Sequence, residues 1–209
     1  MKLPEDIGTI IILNGTPRSG KSSIAKVIQE TFDGVWMNMG VDRFKAMTSD
    51  RFQPGIGLRP GGERPDLEPL IVSLYLAMYE AVAAHARLGV NVVVDVGHHD
   101  SYSVPLEILA GCARILSDFS VLFVGVRCPI DIIMERRRAT WGVEGNDDGS
   151  IPIPVKLWQQ AVHDPGIYDV EVDTSRFSPE QCADLIRQRL NDSEPPSAFA
   201  RLANMNDHD

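Results

Sequence analysis

The sequence predicts an α/β fold, an open five-stranded parallel sheet with helices on both faces, and three observations predict it. Short apolar runs rich in β-branched residues alternate with longer amphipathic stretches. The runs are apolar on both sides, as strands covered on both faces must be. The order is βα repeated, which requires crossover helices between parallel strands.

Taken in order, the strands are expected at TIIILN (9–14), VWMNM (35–39), VNVVVDV (90–96), VLFVGV (121–126) and YDVEVD (168–173). Between them, Ile24, Val27, Ile28 and Phe32 form one helical stripe, and Leu70, Ile71, Leu74, Met78 and Val82 form another. SPEQ at 178–181 reads as an N-cap serine, a first-turn proline and a glutamine completing a capping box, so a closing helix follows the last strand.

A chain of 209 residues with 44% hydrophobic content suits one domain with one sizeable core, expected over 1–191. The segment 192–209 has two prolines, no sustained periodicity and a polar end, and is expected to be a mobile tail. Twenty Lys+Arg against 29 Asp+Glu give a net charge of -9, without the basic footprint of a nucleic-acid binder, so no nucleic-acid partner is expected. Cys112, Cys128 and Cys182 are odd in number and fall in no CxxC or Cys/His pattern, which argues for a reducing, cytoplasmic setting. No leader pattern opens the chain and no apolar run approaches a bilayer's thickness, so a soluble protein with no membrane partner is expected. Homo-oligomerisation is left open.

GTPRSGKS at 15–22 matches GxxxxGK[ST], directly after the first strand and directly before an amphipathic helix. That context is what the motif requires. Glycines at 15 and 20 let the backbone curl so that N–H groups face an anion, and the helix adds its positive end. The fold expected is therefore that of the P-loop NTPases, with Gly15, Thr16, Pro17, Arg18, Ser19, Gly20, Lys21, Ser22 and Ser23 around a nucleotide. Lys21 is expected at the β and γ phosphates of ATP and the Ser22 hydroxyl on Mg²⁺.

In a parallel α/β sheet, ligands sit beyond the carboxyl ends of the strands, and four exits carry polar residues. GVDRF follows the second strand, where Asp42 is either a helix N-cap or the acceptor of a substrate hydroxyl's proton. DVGHHDS ends the third, where Asp95 is placed to hold Mg²⁺ through water or to orient an acceptor. His98 and His99 are adjacent and point in different directions, which argues for pocket or surface roles rather than zinc. Arg127, beyond the fourth strand, either approaches the nucleotide or pairs with an acid, and Arg176, beyond the fifth, is a candidate for the adenine face.

Two loops stand apart. Residues 48–66, rich in Gly, Pro and Arg, are expected to form an acceptor-binding loop. Residues 129–153 are expected to form a lid, with Arg136, Arg137 and Arg138 folding over the transferring phosphoryl group. Arg43, Arg51, Arg59 and Arg64 keep open an acceptor that carries its own phosphate.

These residues together resemble the chloramphenicol phosphotransferase-like P-loop kinases. The resemblance runs through IILNGTPRSGKSSI, GVDRF, VVVDV, VGVRCP with its basic helix, AVHDPGIYDVEVDTS and SPEQCA, over about residues 9–190. It implies a nucleoside-monophosphate-kinase-like core that moves the γ-phosphoryl group of ATP to a hydroxyl of a small molecule, with antibiotic resistance as one role. It implies catalytic parts for Asp42 as base and for Arg136 as the lid arginine, beside Lys21, which the phosphate-loop motif already marks as catalytic. Where the chloramphenicol-modifying member has consecutive acids after its third strand, this chain has Asp95, Val96, Gly97 and the histidine pair. The acceptor is therefore open between an antibiotic and an ordinary metabolite such as a nucleotide or a sugar acid. A non-catalytic ATP-binding regulator is a further alternative, against which Asp42 counts.

Overall fold

The computed structural model describes residues 7–142 and 150–205. Five strands, β1 (Ile10–Asn14), β2 (Trp36–Asn38), β3 (Asn91–Val96), β4 (Val121–Arg127) and β5 (Val170–Asp173), form one sheet in the order β2-β3-β1-β4-β5. All neighbouring pairs are parallel, with Leu13 opposite Asp95 and Asn14 opposite Gly125. The helices are α1 (Lys21–Thr31), α2 (Val41–Ala46), α3 (Glu68–Arg87), α4 (Ile108–Ile115), α5 (Ile130–Trp141), α6 (Ile153–Ala161), α7 (Pro179–Leu190) and α8 (Ala198–Ala203).

Strand alternation divides the core. Ile10 and Ile12 of β1 face one side with Val92, Val94, Val121 and Phe123, where α3, α4 and α8 cover them. Ile11 and Leu13 face the other with Val93, Leu122 and Val124, where Ile24 and Ile28 of α1 and Cys182 and Ile186 of α7 cover them. Every residue of β1 is buried. The central strand therefore reads as a continuous apolar run instead of an alternating one. β1 lies between β3 and β4, so the chain leaves β1 in opposite directions on its two sides. The crevice at that reversal is where doubly wound sheets bind ligands.

Three expectations need correction. Part of the expected mobile tail is ordered: α8 buries Ala198, Phe199, Leu202 and Ala203. Phe199 meets Phe123 edge-on at 5.1 Å and stacks on Tyr79 at 6.1 Å, and Asp169 Oδ1 accepts the backbone N–H groups of Ser197 and Ala198. The stripe spans barely one turn and a half, too short to register as periodicity. Residues 206–209 lie outside the described residues.

α3, with 20 residues and a mean hydropathy of 1.3, is long and apolar enough to cross a membrane by length and composition, which the sequence reading did not expect. In the fold it carries Ile71, Tyr75, Met78, Tyr79, Val82, Ala83 and Ala86 into the core. The histidine pair is not a surface feature either, since His98 and His99 are 2% and 6% exposed. The capping box of α7 forms as expected, Ser178 accepting from the Gln181 backbone while Gln181 returns the bond.

Candidate active site

The loop between β1 and α1 turns through two left-handed residues, Arg18 at φ 71° and Gly20 at φ 97°. Such turns gather backbone N–H groups around a concavity that suits an anion. Lys21 Nζ arches back over the loop, donating to the carbonyls of Gly15 and Thr16, both at 2.9 Å. It also lies 3.5 Å from Asp95 Oδ1. Ser22 Oγ donates to the other carboxylate oxygen, Asp95 Oδ2, at 2.6 Å. One carboxylate at the end of β3 thus gathers the lysine and the hydroxyl of the motif. Thr16 Oγ1 and Ser19 Oγ are buried inside the loop without a hydrogen-bond partner among the described residues.

The start of this loop is held from behind. Asn14, 1% exposed, donates to the Val162 carbonyl at 2.8 Å and to Tyr168 Oη at 2.9 Å, and its Oδ1 accepts from the His98 backbone at 2.7 Å. His98 Nε2 meets Tyr79 Oη at 2.7 Å. Burial, reinforced by His99, depresses the His98 imidazole to about 3, and burial depresses His99 to about 4. Both are neutral: His98 supports the loop through Asn14, His99 meets the Leu58 carbonyl at 3.2 Å, and neither lines the cleft.

A cleft of ≈ 710 Å³ opens above the loop. Asp42 lines it, in the first turn of α2. The N-cap of α2 is Gly40, and no side chain caps the helix. The sequence alternatives for Asp42 therefore separate: it is not the cap, and its carboxylate makes no hydrogen bond or ion pair among the described residues.

Arg136 comes from α5 into the same cleft. Its Nη1 donates to the Arg18 carbonyl at 3.2 Å and to Thr174 Oγ1 at 2.9 Å, and its Nη2 to the Thr174 carbonyl at 2.7 Å. Thr174 Oγ1 in turn donates to the Ser19 carbonyl at 2.6 Å. The phosphate loop, α5 and the loop after β5 are thus stitched together. Arg137 also lines the cleft; burial, then the charges of Arg59 and Arg18, lower its pKa. Residues 143–149, the glycine-rich part of the expected lid, lie outside the described residues.

Not every expected residue gathers here. Arg127 takes the second of its two alternatives, pairing with Glu171 at 2.7 Å, and it lines a separate cavity with Lys156, Gln159 and His163. Arg176 is exposed with its guanidinium 5.8 Å from the Phe177 ring centre, and Phe177 is the residue that lines the cleft. Lys45, Tyr75, Trp158, Thr174 and Phe177 are cleft residues that the sequence reading did not select. Of these only Lys45 carries a local signal, three positions after Asp42 on the same helix face.

The central parallel sheet, the curled loop at its switch point, and the lysine and serine held by one carboxylate define the class: a kinase-type P-loop phosphotransferase. The chain belongs to the chloramphenicol phosphotransferase-like protein family, whose sequence profile matches residues 8–191. It is similar, at 28% identity over 216 residues, to a Mycobacterium tuberculosis (strain H37Rv) protein named "Putative O-phosphotransferase", with 96% of this chain and 89% of the relative covered. Among solved structures, it resembles the Mycobacterium tuberculosis APS kinase in complex with AMPPNP and APS, with a TM-score of 0.60 at 16% identity over 90% of this chain and 99% of that one. It also resembles the Acinetobacter baumannii shikimate kinase in complex with shikimate, with a TM-score of 0.57 at 12% identity over 88% and 93% of the two chains. At these identities the likeness is one of fold.

Proposed function

We propose that this protein transfers the γ-phosphoryl group of ATP to a hydroxyl of a small molecule, with Mg²⁺ bound through Ser22 and Asp95. The observation that carries the reading is the Asp95 carboxylate, which gathers Lys21 and Ser22 in a cleft that Asp42, without a hydrogen bond or ion pair among the described residues, also lines.

The residues present fit both groups. The left-handed turns at Arg18 and Gly20 and the orphaned hydroxyls of Thr16 and Ser19 suit a polyanion in the loop. The oxygen-only pair of Ser22 and Asp95 suits a hard divalent cation. The ion, when bound, neutralises charge on the phosphates. Lys21 supplies a fixed positive charge there, and Arg136, locked to Thr174, borders the same phosphates.

Transfer of this kind is governed by positioning and charge compensation more than by base strength. Asp42 accepts a hydrogen bond from the acceptor hydroxyl and aligns its oxygen on the γ-phosphorus. The bond from that oxygen to phosphorus forms as the bond to the β–γ bridging oxygen breaks, ADP departs, and the hydroxyl proton passes late to Asp42. Phe177 and the loop after β5 offer a surface for the adenine.

The test is label transfer from γ-labelled ATP to a panel of hydroxylated molecules that includes chloramphenicol and common metabolites. Transfer to at least one acceptor is expected, with Asp42→Asn slowing it by about 10²-fold or more. Robust nucleotide binding with no transfer to any acceptor, or an Asp42→Asn variant within about threefold of wild type, would overturn the reading.

A further inference from the structure

We propose that the acceptor is itself a small anion, a hydroxylated molecule carrying a carboxylate or a phosphate- or sulfate-type group, which Lys45 binds one helical turn from Asp42 while Arg59 approaches from the loop at 48–66. The inference rests on the kinase reading above and adds the acceptor's charge to it.

The cleft departs from the charge of the whole molecule. The chain carries a net -9, yet six cations line the cleft, Arg18, Lys21, Lys45, Arg59, Arg136 and Arg137, against two acids, Asp42 and Asp95. Three of the six, Arg18, Lys21 and Arg136, belong to the nucleotide side, and a fourth, Arg137, stands within reach of the charges of both Arg59 and Arg18. Lys21 is held by the loop carbonyls and Asp95, Arg136 by Thr174 and the Arg18 carbonyl, and Arg18 is part of the loop itself. Arg137 sits on the same lid helix as Arg136.

Lys45 and Arg59 are different. Neither side chain makes a hydrogen bond or ion pair among the described residues, and both come from the acceptor side, α2 and the loop at 48–66. Lys45 is only partly exposed. Its stem rests against Gly57, where an added Cβ would come within 3.3 Å of Cδ. The turn Gly55–Gly57 is thus shaped to seat this side chain. A partly buried cation without a counter-charge loses hydration for no return, and an anionic ligand supplies the missing partner through charge-assisted hydrogen bonds.

Spacing sets the size of the ligand. Lys45 follows Asp42 by one helical turn, its stem and Nζ lie along Gly57, and both residues line the one cleft, so a hydroxyl at Asp42 and an anion at Lys45 fit on one small molecule. Ile56, Tyr75 and Trp158 line the remaining wall and suit its carbon face. A neutral acceptor would leave Lys45 desolvated and unpaired when bound.

The experiment compares matched acceptors with γ-labelled ATP: a polyhydroxy acid, its neutral amide, the parent polyol, the polyol's phosphate ester and chloramphenicol. Wild-type protein, Lys45→Met and Arg59→Gln are measured together; methionine preserves most of the lysine stem, and circular dichroism checks the fold. Wild type is expected to favour an anionic acceptor over its neutral counterpart by about tenfold or more in kcat/KM, the worth of one charge-assisted hydrogen bond. Lys45→Met is expected to erase most of that preference through KM for the acceptor, with KM for ATP within about twofold, because Lys45 is assigned to the acceptor side alone. The carboxylate and phosphate arms show which anion is bound. Equal or better transfer to the neutral acceptors, or a preference that survives Lys45→Met, overturns this inference and leaves the kinase reading standing. Transfer to no acceptor at all overturns both.

Discussion

Ser22 Oγ and Asp95 Oδ2 lie 2.6 Å apart, joining the first turn of α1, the helix that follows β1, to the carboxyl end of β3, the neighbour of β1 in the sheet. The same carboxylate draws Lys21 to 3.5 Å. Asp95 therefore positions two groups of the motif at once. Its replacement by Asn keeps the shape and removes the charge, and apparent Mg²⁺ affinity is expected to fall about 10–100-fold, as for other residues that orient a metal's ligands. Titration of activity or nucleotide binding against Mg²⁺ measures this; a variant with unchanged Mg²⁺ dependence would remove Asp95 from the metal site.

Arg136 spans the phosphate loop and the loop after β5 through a planar fork. Lysine cannot reproduce that fork. Arg136→Lys is expected to weaken ATP binding and to lower stability by about 1.5–3 kcal/mol, the worth of a charged hydrogen bond. Urea unfolding and nucleotide titration on the same variant test both halves. A stable variant with weakened ATP binding would show that Arg136 serves the nucleotide and not the fold.

Phe199 of α8 packs between Phe123 and Tyr79. Phe199→Ala is expected to cost about 3–5 kcal/mol, as large-to-small changes at buried aromatics do. A change below about 1 kcal/mol by denaturant unfolding, small against that cavity cost, would mean that α8 is docked only weakly.

The buried histidines make stability depend on pH. His98 is depressed to about 3 and His99 to about 4, whereas both titrate near 6.5 in the unfolded chain. Below about pH 6.5 the unfolded chain binds protons that the folded one refuses, so folding stability is full above that pH and falls as the pH drops towards 4. Each histidine contributes up to about 1.4 kcal/mol per pH unit in that window. Unfolding free energies between pH 7 and 4 are expected to decline less steeply in His98→Gln than in wild type. Parallel curves would show that His98 titrates alike in the folded and unfolded chains and is not held neutral by burial.

The parts of the site legible in the sequence are those whose physics is local. The curl of residues 15–22 depends on glycines and on the helix that follows, and Ser178 and Gln181 cap α7 within four residues. The strands were legible because burial on both faces writes a continuous apolar run, as at Ile10, Ile11, Ile12 and Leu13. Arg127 and α8 were harder. The choice of Glu171 as partner for Arg127 depends on β4 lying beside β5, and the docking of Phe199 depends on a groove made by β4 and α3.

By itself, then, the sequence determined the parallel α/β fold, the phosphate loop and its place after the first strand, because hydrophobic period and turn chemistry act over a few neighbouring residues. Only the tertiary structure decided that Asp95 gathers Ser22 and Lys21 across 73 positions of chain, that Gly40 and not Asp42 caps α2, that the histidine pair is buried, and that Lys45 stands in the cleft without a partner among the described residues. Those relations depend on which strands neighbour each other and which loops meet above them, and no local pattern of residues encodes that distance.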